Sequence, residues 1–196
     1  MSQTTQTQAQ AYQGGFQDPS YDSAHAFRAA MNAMARPGTL ESLSGANAPT
    51  PISEAAATLL MTVCDPGTGL HLAGSADNDT LRAWITFHTG APLVSAEEAD
   101  FALGTWDALQ PVRQFKIGDP SYPDRAATLI IEMPNLEQSG TTLSGPGIKT
   151  SVQLNLPEVA AFKANRALFP LGFDCFFTCG TNVAALPRST LIEEAA

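Results

Sequence analysis

The chain has 196 residues, enough for one well-buried core, and nothing in its composition divides it. With 19 acidic against 10 basic residues the formal net charge is -9, so its exterior repels nucleic acid and anionic lipid surfaces, and small anions are left only local basic patches. The three cysteines are an odd number, which argues against a disulfide framework.

Residues 1–15, MSQTTQTQAQAYQGG, carry no charge and little that can be buried, so ordering them costs more than it returns and a flexible tail is expected. They also lack the basic start and apolar core of a secretory signal, and no apolar run in the chain is long enough to span a bilayer. The expectation is a cytoplasmic protein with a single domain over residues 16–196.

The first periodic segment is SAHAFRAAMNAMARPG. Phe27, Ala30, Met31 and Met34 recur at helical spacing, Asp22 or Ser23 caps the start, and Pro37-Gly38 ends it. At about 100° per residue, His25, Arg28, Asn32 and Arg36 fall in one sector opposite Phe27 and Met31. A polar, mostly basic stripe on a helix of an acidic protein reads either as a solvated face or as a contact for an anionic ligand or an acidic partner subunit.

TPISEAAATLLMTVCDPGTG predicts a second helix with Thr50 as N-cap, Pro51 at the first helical position and Cys64 packed in the last turn. Leu70-His71-Leu72 reads as a short strand, and DNDTLRAWITFHTGAP as a third helix capped by Asp77, Asn78 or Asp79 and left through Gly90 in a left-handed turn. His88, at its end, has no ligand neighbour at metal spacing and reads as a capping or packing residue. SAEE followed by Phe101-Ala102-Leu103 is ambiguous between helix and strand. TWDALQPVRQF suggests a short helix up to Pro111, and KIGDPSYPDRA a loop.

ATLIIEM, residues 127–133, has the nearly continuous apolar pattern of a strand covered on both faces. Two strand-like runs flank Gly145-Pro146-Gly147, LPEVAAFKANRA is helical, and strands follow at 173–179 and 183–186. Helices interspersed with strands of this length indicate an α/β layered fold.

Each motif that suggests chemistry has a structural counter-reading. LSGPGIKT has glycines and Lys149 but neither the ending nor the strand-then-helix context of a P-loop, and a type II turn with Pro146 second and Gly147 third explains it. No G-x-S-x-G motif offers a nucleophile. Asp65, Asp119, Asp124 and Glu132 read as scattered acids, but Asp174 lies inside an apolar segment, where its carboxylate needs hydrogen-bond donors or a cation; backbone amides or an arginine such as Arg188 are expected to hold it. On a helix Cys175 and Cys179 would stand about 6 Å apart. On a strand they are roughly 13 Å apart, too far to share a metal. FDCFFTC has strand composition, so Phe173, Cys175, Phe177 and Cys179 share one face and both thiols pack in the core.

The segments HAFRAAMNAMARPG, FHTGAPLV, LSGPGI and FPLGFDCFFTCG followed by ALPRST are similar, in this order, to the hallmark segments of the PhnH family, a subunit of the bacterial carbon-phosphorus lyase core complex of phosphonate metabolism. The resemblance implies a three-layer α/β/α sandwich whose mixed central sheet resembles the large domain of pyridoxal-phosphate-dependent transferases without their cofactor site. It implies a required but non-catalytic component of phosphonate breakdown, partnered by the other core subunits and by itself as a homodimer, with no cofactor, metal or catalytic residue of its own. The alternative is a small-molecule enzyme or binding protein that uses pyridoxal phosphate or a nucleotide or phosphonate ligand. A pyridoxal-phosphate Schiff base would need one of Lys116, Lys149 and Lys163, of which Lys149 after the GPG turn fits least badly.

Overall fold

The computed structural model describes residues 12–193, and the segment ATLIIEM lies near its centre. A nearly continuous apolar run is stable where both of its faces are covered. Accordingly β6 (Thr128–Glu132) takes a central place in a six-stranded sheet of order β1-β10-β9-β6-β3-β2. β2 (Leu70–Leu72), β3 (Phe101–Thr105), β6 and β9 (Asp174–Cys179) run parallel. β10 (Asn182–Leu186) returns antiparallel along β9, and β1 (Glu41–Ser42) pairs antiparallel with β10 at the edge.

The two-residue period of the strands sorts the core into two halves. Leu103, Ile130, Phe176 and Ala185 are register partners on one face, which is covered by α1 (Pro19–Ala35), α2 (Glu54–Val63) and α3 (Asp79–His88). Ala102, Leu129, Cys175 and Leu186 partner one another on the opposite face. There the cover is the short α4 (Val159–Arg166), a three-stranded sheet of β11 (Leu191–Glu193), β7 (Thr141–Ser144) and β8 (Val152–Leu154), and the loop residues Trp106, Leu109 and Phe115. The mixed α/β sheet is as expected, but the second outer layer contains more strand than helix.

The parallel strands advance across the sheet in one direction, whereas the β2–β3 connection carries α3 over the first face and the β6–β9 connection carries α4 over the second. The two crossovers therefore have opposite hands, and one of them has the uncommon left hand. As a result, the carboxyl ends of β3 and β6 lie between elements belonging to the two faces.

Several boundaries differ from the sequence expectation. α1 begins at Pro19, because Asp18 accepts the Tyr21 N–H at 3.2 Å; the cap lies upstream of Asp22. α2 begins at Glu54, not at Pro51: Ser53 is the cap, accepting the Ala56 N–H at 3.2 Å, and Cys64 is the extended residue that ends the helix. The third helix is as expected, capped by Asn78, one of the three candidates. The stretch after β3 forms turns and a 3-10 segment (Val112–Gln114), and KIGDPSYPDRA forms a hairpin of β4 (Ile117–Asp119) and β5 (Tyr122–Ala126).

Residues 1–11 of the expected tail lie outside the described residues. Tyr12 to Gly15 do not run free: the Trp84 indole donates to the Gln13 carbonyl at 2.9 Å and Asn47 N–H donates to the Gly14 carbonyl at 2.7 Å. A Cβ on Gly14 would stand 1.9 Å from the Asn47 carbonyl oxygen, and its φ of +78° is one that side chains rarely adopt, so this close approach requires glycine.

The orientation of α1 is the largest correction. Of the expected apolar face, Ala30 is buried and Met34 packs partly buried against the core, but Phe27 and Met31 are 53% and 51% exposed, and the helix turns Ala26 and Ala33 with Ala30 against α2 and the sheet. Both stripes have helical spacing. Small residues win the inward side because they let the backbones approach closely, leaving no room for larger chains. We expect Ala30→Leu to lower the unfolding free energy by about 1–3 kcal/mol. Met31→Ala should stay within about 0.5 kcal/mol of the parent in the same denaturant titration.

Candidate functional site

The segment FPLGFDCFFTCG is a buried strand whose carboxylate is fully engaged. Arg188 donates to Asp174 through its backbone N–H at 2.7 Å, Nε at 3.1 Å and Nη2 at 2.6 Å, and its Nη1 reaches the Pro123 carbonyl at 2.7 Å. A half-buried carboxylate is thereby satisfied by both the amide and the guanidinium of one residue, as its position in an apolar strand demands. The same bonds tie the chain after β10 to the β4–β5 hairpin. Asn165, which sequence reasoning passed over, makes a comparable buried clamp: its side chain exchanges two hydrogen bonds with the backbone of Phe173, at 2.8 and 3.0 Å. An interior asparagine in a helix of alternating small residues offers no sequence signal for this role.

Phe173, Cys175, Phe177 and Cys179 do share a face, packed against Phe162 and the second half of the core. Burial pushes the Cys175 thiol well above its usual range. Cys64 is pushed up to about 12 by burial, assisted by the nearby charges of Asp65 and Asp100. Neither has the lowered pKa of a nucleophile. Among the described residues no group of three or more His, Cys, Asp or Glu is placed to hold a metal.

The four residues of the basic stripe separate into two environments. His25, Arg28 and Asn32 border a cleft of about 290 Å³ between α1 and the edge strand β1, facing Glu41, Ser42 and Ser44. Arg36 ends the helix, its N–H bonded to Asn32 O, and is exposed. The imidazole of His25 lies 4.2 Å from the ring of Tyr21. Phe27 and Met31 also point outward, on the flank of α1 away from that cleft, where Arg28 is the basic residue next to them.

His88 has the packing role expected of it, lying against Trp84 and Phe87 with Nε2 3.2 Å from Gln13 O. Lys116 pairs with Asp100, Lys149 stands exposed beyond the Gly145-Pro146-Gly147 turn, and Lys163 lies in the last turn of α4. That turn has the expected geometry: Ile148 N–H donates to Gly145 O at 3.1 Å and Gly147 has φ +82°.

A second concavity, unforeseen from the sequence, lies at the carboxyl ends of β3 and β6. This cleft of about 710 Å³ is bordered by Pro51, Trp106, Asp107, Glu132, Pro134 and Leu156 among others. Glu132, the last residue of β6, accepts the Ser53 N–H at 2.7 Å at the start of α2. Burial raises the pKa of its carboxyl, and hydrogen bonds from the N–H and hydroxyl of Ser53 and from the Thr178 hydroxyl offset this only in part. The Trp106 indole donates to Glu158 at 2.9 Å. The position matches the general rule that open α/β sheets bind ligands beyond the carboxyl ends of their strands. The individual carboxylates were visible in the sequence; their placement depended on strand order.

Apart from FHTGAPLV, the segments that carry the family resemblance meet one another in space. A Cβ on Gly147 would stand 2.0 Å from Ala35 O, so the LSGPGI turn sits hard against the end of α1. FHTGAPLV lines the free edge of β2, where Leu70 N–H donates to Pro92 O at 2.9 Å and Val94 N–H to Leu70 O at 3.0 Å. FPLGFDCFFTCG and ALPRST are joined by the Asp174–Arg188 pair.

A mixed six-stranded sheet with three helices over one face, and α4 with a small sheet over the other, held by these junctions, places the protein in the mixed α/β class. Residues 14–193 match the family described as bacterial phosphonate metabolism protein (PhnH), and the chain belongs to this family. It is 38% identical over 195 residues to the alpha-D-ribose 1-methylphosphonate 5-triphosphate synthase subunit PhnH of Rhizobium meliloti (strain 1021), covering 95% of this chain and 98% of that protein. It is 29% identical over 174 residues to the putative C-P lyase subunit protein HtxG of Stutzerimonas stutzeri, covering 86% of this chain and 84% of that one.

Two measurements check this account of the buried groups. In the native protein iodoacetamide should label half-buried Cys179 well before Cys64 and Cys175, as read by mass spectrometry over time; fast labelling of Cys64 would contradict its packing. For Glu132 the folded pKa is raised, so the native state binds its proton more readily than the unfolded chain. That contribution to stability is complete below the ordinary glutamate pKa and is lost as pH rises through the folded value. Glu132→Gln should therefore flatten the decline in stability as pH rises through that window.

Proposed function

We propose that this chain is a non-catalytic subunit of an assembly acting on organic phosphonates, of the kind for which its two relatives are named, and that it works by docking onto the other subunits of a carbon-phosphorus lyase core complex. The observation that carries this reading is the outer face of α1. This 17-residue helix fully buries Ala26, Ala30 and Ala33 and leaves Phe27 and Met31 in solvent next to Arg28, with Asn32, His25 and Arg36 following further round the exposed side. Large apolar groups exposed together, rimmed by charge, characterise protein interaction surfaces. Family membership over nearly the whole described chain supports the setting.

The same reading includes self-association as a homodimer and a cytoplasmic location, the latter supported by three free thiols and by the absence of any described helix long and apolar enough to cross a membrane. It also takes the central sheet to be that of the large domain of pyridoxal-phosphate-dependent transferases without the cofactor site. The positions of the three lysines support that last point: one is paired with a carboxylate, one stands on an exposed turn and one ends a helix, and none lines the strand-end cleft.

Co-expression with the other core subunits tests the proposal. The chain should co-elute with them, and Phe27→Glu with Met31→Glu should release it while leaving its circular dichroism unchanged. Replacing Arg28 and Arg36 together by Glu should weaken assembly in a salt-dependent way. Elution of the parent chain apart from the other subunits, with growth on phosphonate unaffected by its deletion, would overturn the reading.

A further inference from the structure

The strand-end cleft sits where a ligand site is expected in an open α/β sheet, yet its chemistry is wrong for the phosphorus compounds for which its relatives are named. A helix N-terminus is ordinarily the anion-binding feature of such a crevice, because its first N–H groups are unpaired. At the start of α2 the Ser53 N–H is already taken at 2.7 Å by the Glu132 carboxylate. The side-chain amides of the lining each spend one of their two hydrogens on the protein itself: Asn155 Nδ2 donates to Asn135 O at 3.1 Å, and Asn135 Nδ2 to Glu137 at 2.9 Å. No lysine or arginine borders the cleft, and its charged groups are Asp107 and Glu132. An incoming phosphate or phosphonate would meet acceptors.

We propose that this cleft receives a cationic side chain, an arginine or lysine presented by a partner polypeptide. Glu132 accepts the charged end inside, Asp107 accepts it at the rim, and Pro51, Pro134, Leu156 and Trp106 form walls for the methylene stem. Basic side chains lay their stems along apolar surface while the charged end finds acceptors. The identity of the occupant as a polypeptide rests on the subunit reading above. It is favoured over a small cation because the cleft opens broadly to solvent and would leave a free ligand poorly covered, whereas a side chain brings its own surface as a lid. Charge complementarity also makes the site distinct from the outer face of α1, which presents the opposite sign.

The test uses the full chain with the other core subunits, measuring affinity by titration calorimetry at low salt and at about 0.15 M. Asp107→Lys places a like charge at the rim of an exposed position and should leave thermal unfolding unchanged; Glu132→Gln keeps the acceptor for Ser53 and removes the charge. Each should weaken assembly about tenfold or more, the Asp107→Lys loss being larger at low salt. If the parent assembles and both variants bind as it does, the inference is wrong while the subunit reading stands; if the parent binds none of the subunits, the subunit reading fails and takes the inference with it. Methylphosphonate serves as the contrary probe: perturbation of the Trp106 indole resonance by it, strengthened in Asp107→Lys, would assign the cleft to an anion and also overturn the proposal.

Discussion

The architecture depends on covering both faces of β6 and β9 at once. Ile130 and Phe176 point to one side and Leu129, Cys175 and Phe177 to the other, all of them nearly or wholly removed from water. Each large apolar side chain so buried contributes on the order of 1.5–3 kcal/mol relative to exposure, so neither face can be left bare. Three helices satisfy the first face. On the second, α4 contributes little more than Phe162, which contacts Trp106, Phe173 and Phe177 at ring separations of 4.8, 6.5 and 5.7 Å, and the small sheet of β7, β8 and β11 must complete the cover.

This division of labour explains why the segments that carry the family resemblance are structural junctions. The glycine-rich turn after β7 abuts the carboxyl end of α1, the segment after α3 shields the open edge of β2, and Asp174 with Arg188 fastens the central strand to the chain that leaves the sheet. A side-chain ion pair of this kind is more costly to break than to do without, because removing one partner leaves a charge in a poorly solvated place. None of these junctions requires a substrate for its explanation.

Two surfaces of the protein have opposite electrostatic character. The exposed side of α1 offers cations flanked by apolar Phe27 and Met31, while the strand-end cleft offers carboxylates among prolines and a tryptophan. Surfaces of opposite sign on one molecule favour specific orientation of partners, since misdocked arrangements bring like charges together. The protein's net negative charge adds a general repulsion towards anionic surfaces, so the cations of α1 act only at short range.

Much of this was legible in the chain itself. The strand at 173–179 and the shared face of its cysteines followed from the two-residue period, the Gly145-Pro146-Gly147 turn from the conformational limits of proline and glycine, and the engagement of Asp174 from the cost of an unpaired carboxylate among phenylalanines. The choice of buried stripe on α1 did not follow, because Ala26, Ala30 and Ala33 and the stripe through Phe27 and Met31 are both helical repeats, and only the distance to α2 and the sheet decides which fits. Nor did the cleft, whose residues come from the start of α2, the ends of β3 and β6 and the approach to α4. Local periodicity and bond chemistry determined which elements form and which groups must be satisfied; the order and direction of the strands, a property of the whole sheet, decided which of those groups face one another.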